Sequence, residues 1–185
     1  MPNSEIILIS ISGEDKPGVT TAITEILGAY DATILDIGQA DIHHTLSLGI
    51  LFKVTDRSDS GNVLKDILFK CTELNVTPRF TPVTLEQYHS WVGRQGAGRY
   101  VLTILGQVVN ARQLSRVTSV VSGFNLNIDS IKRLTGRLPL EDVAAESIRS
   151  CVELSVRGDL QNKKEFSKKL MSLSADLGKI GRAHV

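Results

Sequence analysis

The sequence predicts an α+β fold of two tandem βαββαβ modules, each an antiparallel sheet with both helices on one face, the second lacking its last strand. Three observations carry this. Aliphatic runs that read as strands alternate with segments of helical spacing, in the order strand, helix, strand, strand, helix, strand. The same order begins again near Arg99, and "DATILDIG" from Asp31 can be laid on "NLNIDSIK" from Asn125, each following a helix by the same short step. The frame then stops after the repeat's second helix, where a fourth strand should begin.

The elements follow in order. Ile6, Ile7, Leu8, Ile9 and Ile11 form a β-branched run typical of a strand buried on both faces. After "GEDKPG", apolar residues at Val19, Ala22, Ile23, Ile26, Leu27 and Tyr30 have the i, i+3, i+4, i+7 spacing of one helical face, starting beside Pro17. "ATILDIGQADI" reads as strand two, "HHT" as a hairpin connection and "LSLGILFKVT" as strand three. Leu64, Ile67, Leu68 and Cys71 carry the second helical stripe. "NVTPRFTPV" is extended but holds Pro78 and Pro82, which places strand four at a sheet edge.

Residues 86–97, "EQYHSWVGRQGA", are polar, glycine-containing and aperiodic, and are expected to link a first domain of residues 1–85 to a second of residues 98–179. Trp91 is expected to pack onto one of the two. In the repeat, "RYVLTILG" is the new first strand, and Leu114, Val117, Val121 and Phe124 form the new helix face. "SIRSCVELSV" alternates as a half-buried third strand, and Phe166, Leu170, Leu173 and Leu177 mark the last helix. Between strands two and three of this module, "LTGRLPLEDVAAES" is a surface loop. "IGRAHV", residues 180–185, resembles the translation of a sequencing-adapter read and is set aside from the fold, with the natural frame expected to be cut near Lys179.

Composition narrows the partners. The 185 residues are 42% hydrophobic, enough for packed cores, and 21 Lys and Arg against 20 Asp and Glu leave a charge of +1. No global field draws the chain to nucleic acid or to an anionic membrane. The apolar runs are far shorter than the roughly 20 residues of a spanning helix, and Met1–Glu5 carries no basic leader, so a cytoplasmic protein is expected. Cys71 and Cys151 lie far apart and read as reduced, buried thiols rather than a disulfide or metal pair.

A βαββαβ unit with right-handed crossovers orders its strands 4-1-3-2, a ferredoxin-like sheet with strands two and four at the edges. Strand four is blunted by its prolines, whereas strand two is left bare and invites pairing. Two modules that cover each other's strand two make a sheet of about eight strands, so self-association, as a homodimer through these edges, is expected.

The turn "SGEDKPGV" from Ser12 feeds a helix N-terminus, where unpaired N–H groups and the positive dipole end suit a carboxylate, and Gly18 removes a side chain that would block approach. Asp15 can accept a hydrogen bond from an α-ammonium group, so the turn is complementary to both ends of a free amino acid. Asp15 as a simple helix cap, with Pro17 and Gly18 as simple turn residues, is the competing reading.

The repeat with D-K-P-G-V after strand one resembles the ACT domain, a regulatory module whose pairs bind amino acids at their interfaces. The tandem pair, "YHSWV", "RYVLTILGQ" and "KRLTGRLPLED" resemble more narrowly the N-terminal regulatory region of bacterial phosphoserine phosphatases, over Ile6 to Gly178. The resemblance assigns Gly13, Asp15, Lys16, Pro17, Gly18 and Val19 to an effector loop. It places Thr33 where related domains often use an amide, and Asn127 at that position in the second module. The second loop, "GQVVNARQL", keeps Gly106 and offers Asn110, but has no proline and no carboxylate, so an asymmetric pair is expected. The resemblance implies serine as effector. It further implies hydrolysis of O-phospho-L-serine, with Mg2+, in a catalytic half beyond this chain.

No catalytic residue is expected here. The aspartate-nucleophile motif D-x-D-x-[TV] is absent, no G-x-S-x-G turn occurs, and His43 and His44 lack accompanying ligands. Lys163, Lys164, Lys168 and Lys169 read as a solvated face. A free-standing two-module regulator similar to the glycine cleavage system repressor is the alternative. An RNA-binding sheet of the same strand order is disfavoured by the lack of stacking aromatics on strands one and three.

Overall fold

A computed structural model describes residues 4–55, 57–106, 109–135, 150–176 and 181–184. The chain divides into two units, Met1–Gly93 and Arg94–Val185.

In the first unit, β1 (Glu5–Glu14), α1 (Val19–Ala29), β2 (Thr33–Ile42), β3 (Thr45–Val54), α2 (Arg57–Leu74) and β4 (Val76–Val83) form an antiparallel sheet of order β2-β3-β1-β4. This is the predicted topology. Ile7, Ile9 and Ile11 of β1 lie opposite Phe52, Ile50 and Leu48 of β3, and this face packs on Val19, Ile23 and Leu27 of α1 and Val63, Ile67 and Cys71 of α2 to make one core. The second helical stripe differs from the expected one: Val63, Ile67 and Cys71 face inward at i, i+4 spacing, while Leu68 is 49% exposed. Pro78 and Pro82 sit on β4, which among the described residues pairs with β1 alone, the edge position that prolines favour.

The residues read as a linker contain a further helix, α3 (Leu85–Gly93), and a 3-10 turn, Arg94–Gly96. Thr84 and Gln87 cap α3 reciprocally: the Gln87 N–H donates to Thr84 Oγ1 at 3.1 Å and the Thr84 N–H to Gln87 Oε1 at 2.9 Å. Periodicity alone misses this helix because none of its residues is fully buried.

The second unit repeats the plan with β5 (Arg99–Gly106), α4 (Ala111–Gly123), β6 (Asn127–Arg133), β7 (Ser150–Arg157) and α5 (Lys163–Asp176). Its separate core gathers Tyr100, Leu102, Val121, Leu154, Val156 and Phe166, and Phe124 meets Phe166 edge-on at 5.1 Å. Of the lysine run, Lys163 and Lys169 lie over the rings of Tyr100 and Phe124 at 5.6 and 5.1 Å, so they cover the core edge as well as face water. The loop "LTGRLPLEDVAAES" falls largely outside the described residues, as do Ile148, Arg149 and Leu177.

The second sheet has three long strands, as the missing fourth strand implied. Setting residues 180–185 aside needs correction: Gly181–His184 forms a short β8 beside β5, pairing over four residues where β4 pairs with β1 over eight. Backbone ladders do not depend on side-chain identity, so the open edge of β5 accepts whatever extended segment reaches it.

The repeat read from sequence holds at the level of register. Thr33 pairs with Lys53 and Asn127 with Arg157, and each strand then bulges at the aligned place, between Ile34 and Asp36 and between Ile128 and Ser130. Asp31 and Asn125, aligned in the same way, both take positive φ, 49° and 56°.

Candidate functional site

The β1–α1 turn is held from below by the β2–β3 hairpin. His43 and His44 both have positive φ, 52° and 59°, as a two-residue type I′ turn requires, and the His44 carbonyl accepts the Asp15 N–H at 2.8 Å. Lys16 Nζ reaches Glu14 at 3.1 Å. Val19 is buried and anchors the turn in the core. Gly18 is the helix N-cap, with φ 95°, and no side chain caps the helix. Asp15 therefore does not act as its cap. The Ala22 N–H bonds to Gly18 O at 2.9 Å, which leaves the N–H groups of Thr20 and Thr21 without an acceptor among the described residues, as the first turn of a helix requires. The Asp15 carboxylate is exposed and likewise unpartnered there.

Two glycines have structural roles in addition to those expected from sequence. The space beyond Gly18 is open, so its positive φ rather than crowding demands glycine. Gly18→Ala is expected to lose about 1–2 kcal/mol through left-handed strain, and Gly18→Asn less, measured by urea denaturation. Gly13 lies inside β1, where an added Cβ would stand 2.8 Å from Val76 Cγ1; it admits close approach of β4.

The second turn is built differently. Asn110 caps α4: the Gln113 N–H donates to Asn110 Oδ1 at 3.0 Å, and the Asn110 N–H to Gln113 Oε1 at 3.1 Å. Its amide oxygen is already engaged where the first turn leaves donors open. Gly106 ends β5, and Gln107 and Val108 lie outside the described residues.

Thr33 and Asn127 begin β2 and β6. Thr33 is level with Ile6, whereas Asp41, eight residues on, is level with Gly13, so Thr33 lies about 23 Å along the strands from the turn of its own module. Asn127, in the other unit, donates to Asp129 at 3.2 Å. Asp129 is the bulged residue and meets Arg157 through two contacts, 2.7 and 2.8 Å. The Arg157 hydrogen bond holds the Asp129 carboxyl below its usual range. A depressed folded-state value stabilises the fold above the unfolded carboxylate pKa, and this contribution is lost as pH falls through the folded one. The second module should therefore lose stability below about pH 4, and Asp129→Asn should flatten that part of a pH series of melting temperatures.

Sequence reading missed Gln39, whose Oε1 accepts from Thr20 Oγ1 at 2.7 Å beside the first turn. The signal was topological: β1 and β2 run parallel, one strand apart, so the end of β2 lies beside the end of β1. Among the described residues β2 has β3 as its sole partner strand, with Ile34, Ile37 and Ile42 exposed. It is the bare edge expected.

The ACT domain family matches residues 5–81 and again 99–179. Phosphoserine phosphatase SerB2 of Mycobacterium tuberculosis is 26% identical over 135 residues, covering 73% of this chain and 32% of that protein. Phosphoserine phosphatase of Streptomyces coelicolor is 25% identical over 131 residues, 69% of this chain and 30% of that protein. The chain thus spans about a third of the length of these curated relatives. A Galdieria sulphuraria protein of unknown function superposes with TM-score 0.77 at 13% identity over 98% of both chains. A protein assigned as a glycine cleavage system transcriptional repressor superposes with TM-score 0.68 at 13% identity, over 98% of this chain and 96% of that one. At such identity these two establish the fold alone.

Proposed function

Because the chain belongs to the ACT-domain family, with two such domains in tandem, we propose that it is the effector-sensing regulatory region of a phosphoserine phosphatase. Its first β1–α1 turn binds a small amino acid, with L-serine the leading candidate. One observation carries the reading: α1 begins uncapped and open at Gly18, whereas Asn110 closes the start of α4. A ligand carboxylate takes the Thr20 and Thr21 N–H groups and the positive helix end. Its ammonium group takes Asp15. Thr33 or Asn127 of a second copy completes the site, and the bare β2 edge supports a homodimer formed through these strands.

In this reading the intact cytosolic enzyme hydrolyses O-phospho-L-serine, and serine reports on the product pool. The described residues contain no group of three or more His, Cys, Asp and Glu fit to hold a metal, so magnesium is proposed only for a catalytic domain beyond them. No helix among the described residues is long and apolar enough to cross a membrane, and neither a membrane nor nucleic acid is proposed as a partner.

Calorimetric titration with a panel of amino acids tests the reading. L-serine is expected to give saturable heat, and at a hundredfold excess over Kd to stabilise the fold by about 2.7 kcal/mol; heat from none of the panel overturns it. A free-standing two-domain regulator is the alternative, supported by the extent of the likeness to the repressor fold. The downstream reading frame separates the two, because a phosphatase must run on into an aspartate-nucleophile motif.

A further inference from the structure

The face of the first sheet turned away from α1 and α2 is partly covered by α3, which lays Tyr88 and Trp91 against it. Between them and Leu8, Leu51 and Pro82 is a cleft of about 460 Å3, a size that suits a small ligand. Tyr88 and Trp91 form an aromatic corner, ring centroids 6.0 Å apart and planes inclined by 39°. Asp36 lines the same cleft.

Asp36 is there because of the bulge. Strict alternation from Thr33 would turn Leu35 to the open face and Asp36 towards the helices. The extra residue between Ile34 and Asp36 reverses this and sets Asp36 opposite Leu51, in the row that continues to Leu8 and Thr81. Asp36 Oδ1 accepts the Ile37 N–H at 3.0 Å, and Oδ2 has no partner among the described residues. Among the described residues no Lys, Arg or His lines the cleft. In the second module the aligned residue is Ser130, and its neighbouring carboxylate, Asp129, is held by Arg157.

We propose that this cleft is a second ligand site, separate from the β1–α1 turn, that takes a compact organic cation of the alkylammonium class against Trp91, Tyr88 and Asp36. Aromatic faces attract a cation electrostatically, and N-methyl groups fit the aliphatic floor. A neutral apolar ligand would desolvate the Asp36 carboxylate without pairing it. A hydrated metal ion would gain nothing from Leu8, Leu51 and Pro82.

Trp91 is the single tryptophan of the chain, so its emission reports on this cleft alone. Titrating the full chain with choline or tetramethylammonium is expected to change that emission saturably. The uncharged choline analogue 3,3-dimethylbutan-1-ol should bind at least about tenfold more weakly. Asp36→Asn should weaken choline binding about tenfold with an unchanged thermal melt, and Tyr88→Leu should weaken it independently. A response that does not saturate, equal binding of the neutral analogue, or unaltered affinity in Asp36→Asn overturns the proposal. Serine enters none of these measurements, so their outcome is distinct from that of the effector-turn reading.

Discussion

Phe52→Ala is expected to remove about 3–5 kcal/mol from the first module and to leave the second folded. Phe52 has no exposed surface and sits on β3 between Ile34 of β2 and Ile7 of β1, at the centre of the core that both helices cover. Truncation removes the ring from close-packed neighbours on an inner strand, where the sheet has little freedom to collapse onto the cavity. The second core, around Phe166, Leu154 and Val121, shares no residue with the first. Urea unfolding followed by Trp91 emission, which reads the first unit, should move to much lower urea. Far-UV circular dichroism should separate into two steps, the later one unmoved. A single coincident transition would mean that the two cores unfold as one.

The fold was legible because its signals are local and repeated. Ile6–Ile11 and the Val19, Ile23, Leu27 stripe declare β1 and α1 by period, and the second module restates the plan, so one reading checks the other. The alignment of Asp31 with Asn125 even placed the two bulges in register, although nothing in the local pattern reveals that an extra residue is accommodated there. What escaped was the part whose burial has no period. α3 lies across a sheet face with none of its residues fully buried, and only the Thr84–Gln87 capping pair announced it.

The turn itself was legible for the same reason: Asp15 to Gly18 fall within four residues of sequence and join β1 to α1. Asn110 shows an ambiguity of chemistry: an amide that caps a helix and an amide that holds a ligand use the same groups, and what the structure shows is the cap, through the bond from the Gln113 N–H. Thr33 shows a different limit. Its distance from the turn of its own module follows from the parallel alignment of β1 and β2.

Gly13→Ala is expected to cost about 1–3 kcal/mol and, on the proposed reading of the first turn as a serine site, to weaken that binding without touching the ligand. The new Cβ would lie 2.8 Å from Val76 Cγ1 and 3.1 Å from Val76 Cα, closer than side chains pack, so the end of β1 must move away from β4. That end leads directly into the Asp15–Gly18 turn, whose bond from Asp15 N–H to the His44 carbonyl depends on its position. Truncating the neighbour should relieve the nearest contact: in Gly13→Ala with Val76→Ala, the combined loss of stability should fall short of the sum of the single losses by about 1 kcal/mol. Serine affinity, measured by calorimetry on folded protein, should recover in the double variant along with this coupling. If Gly13 instead met the ligand itself, the added methyl would depress affinity equally in the single and double variants, because Val76→Ala frees space on the β4 side alone.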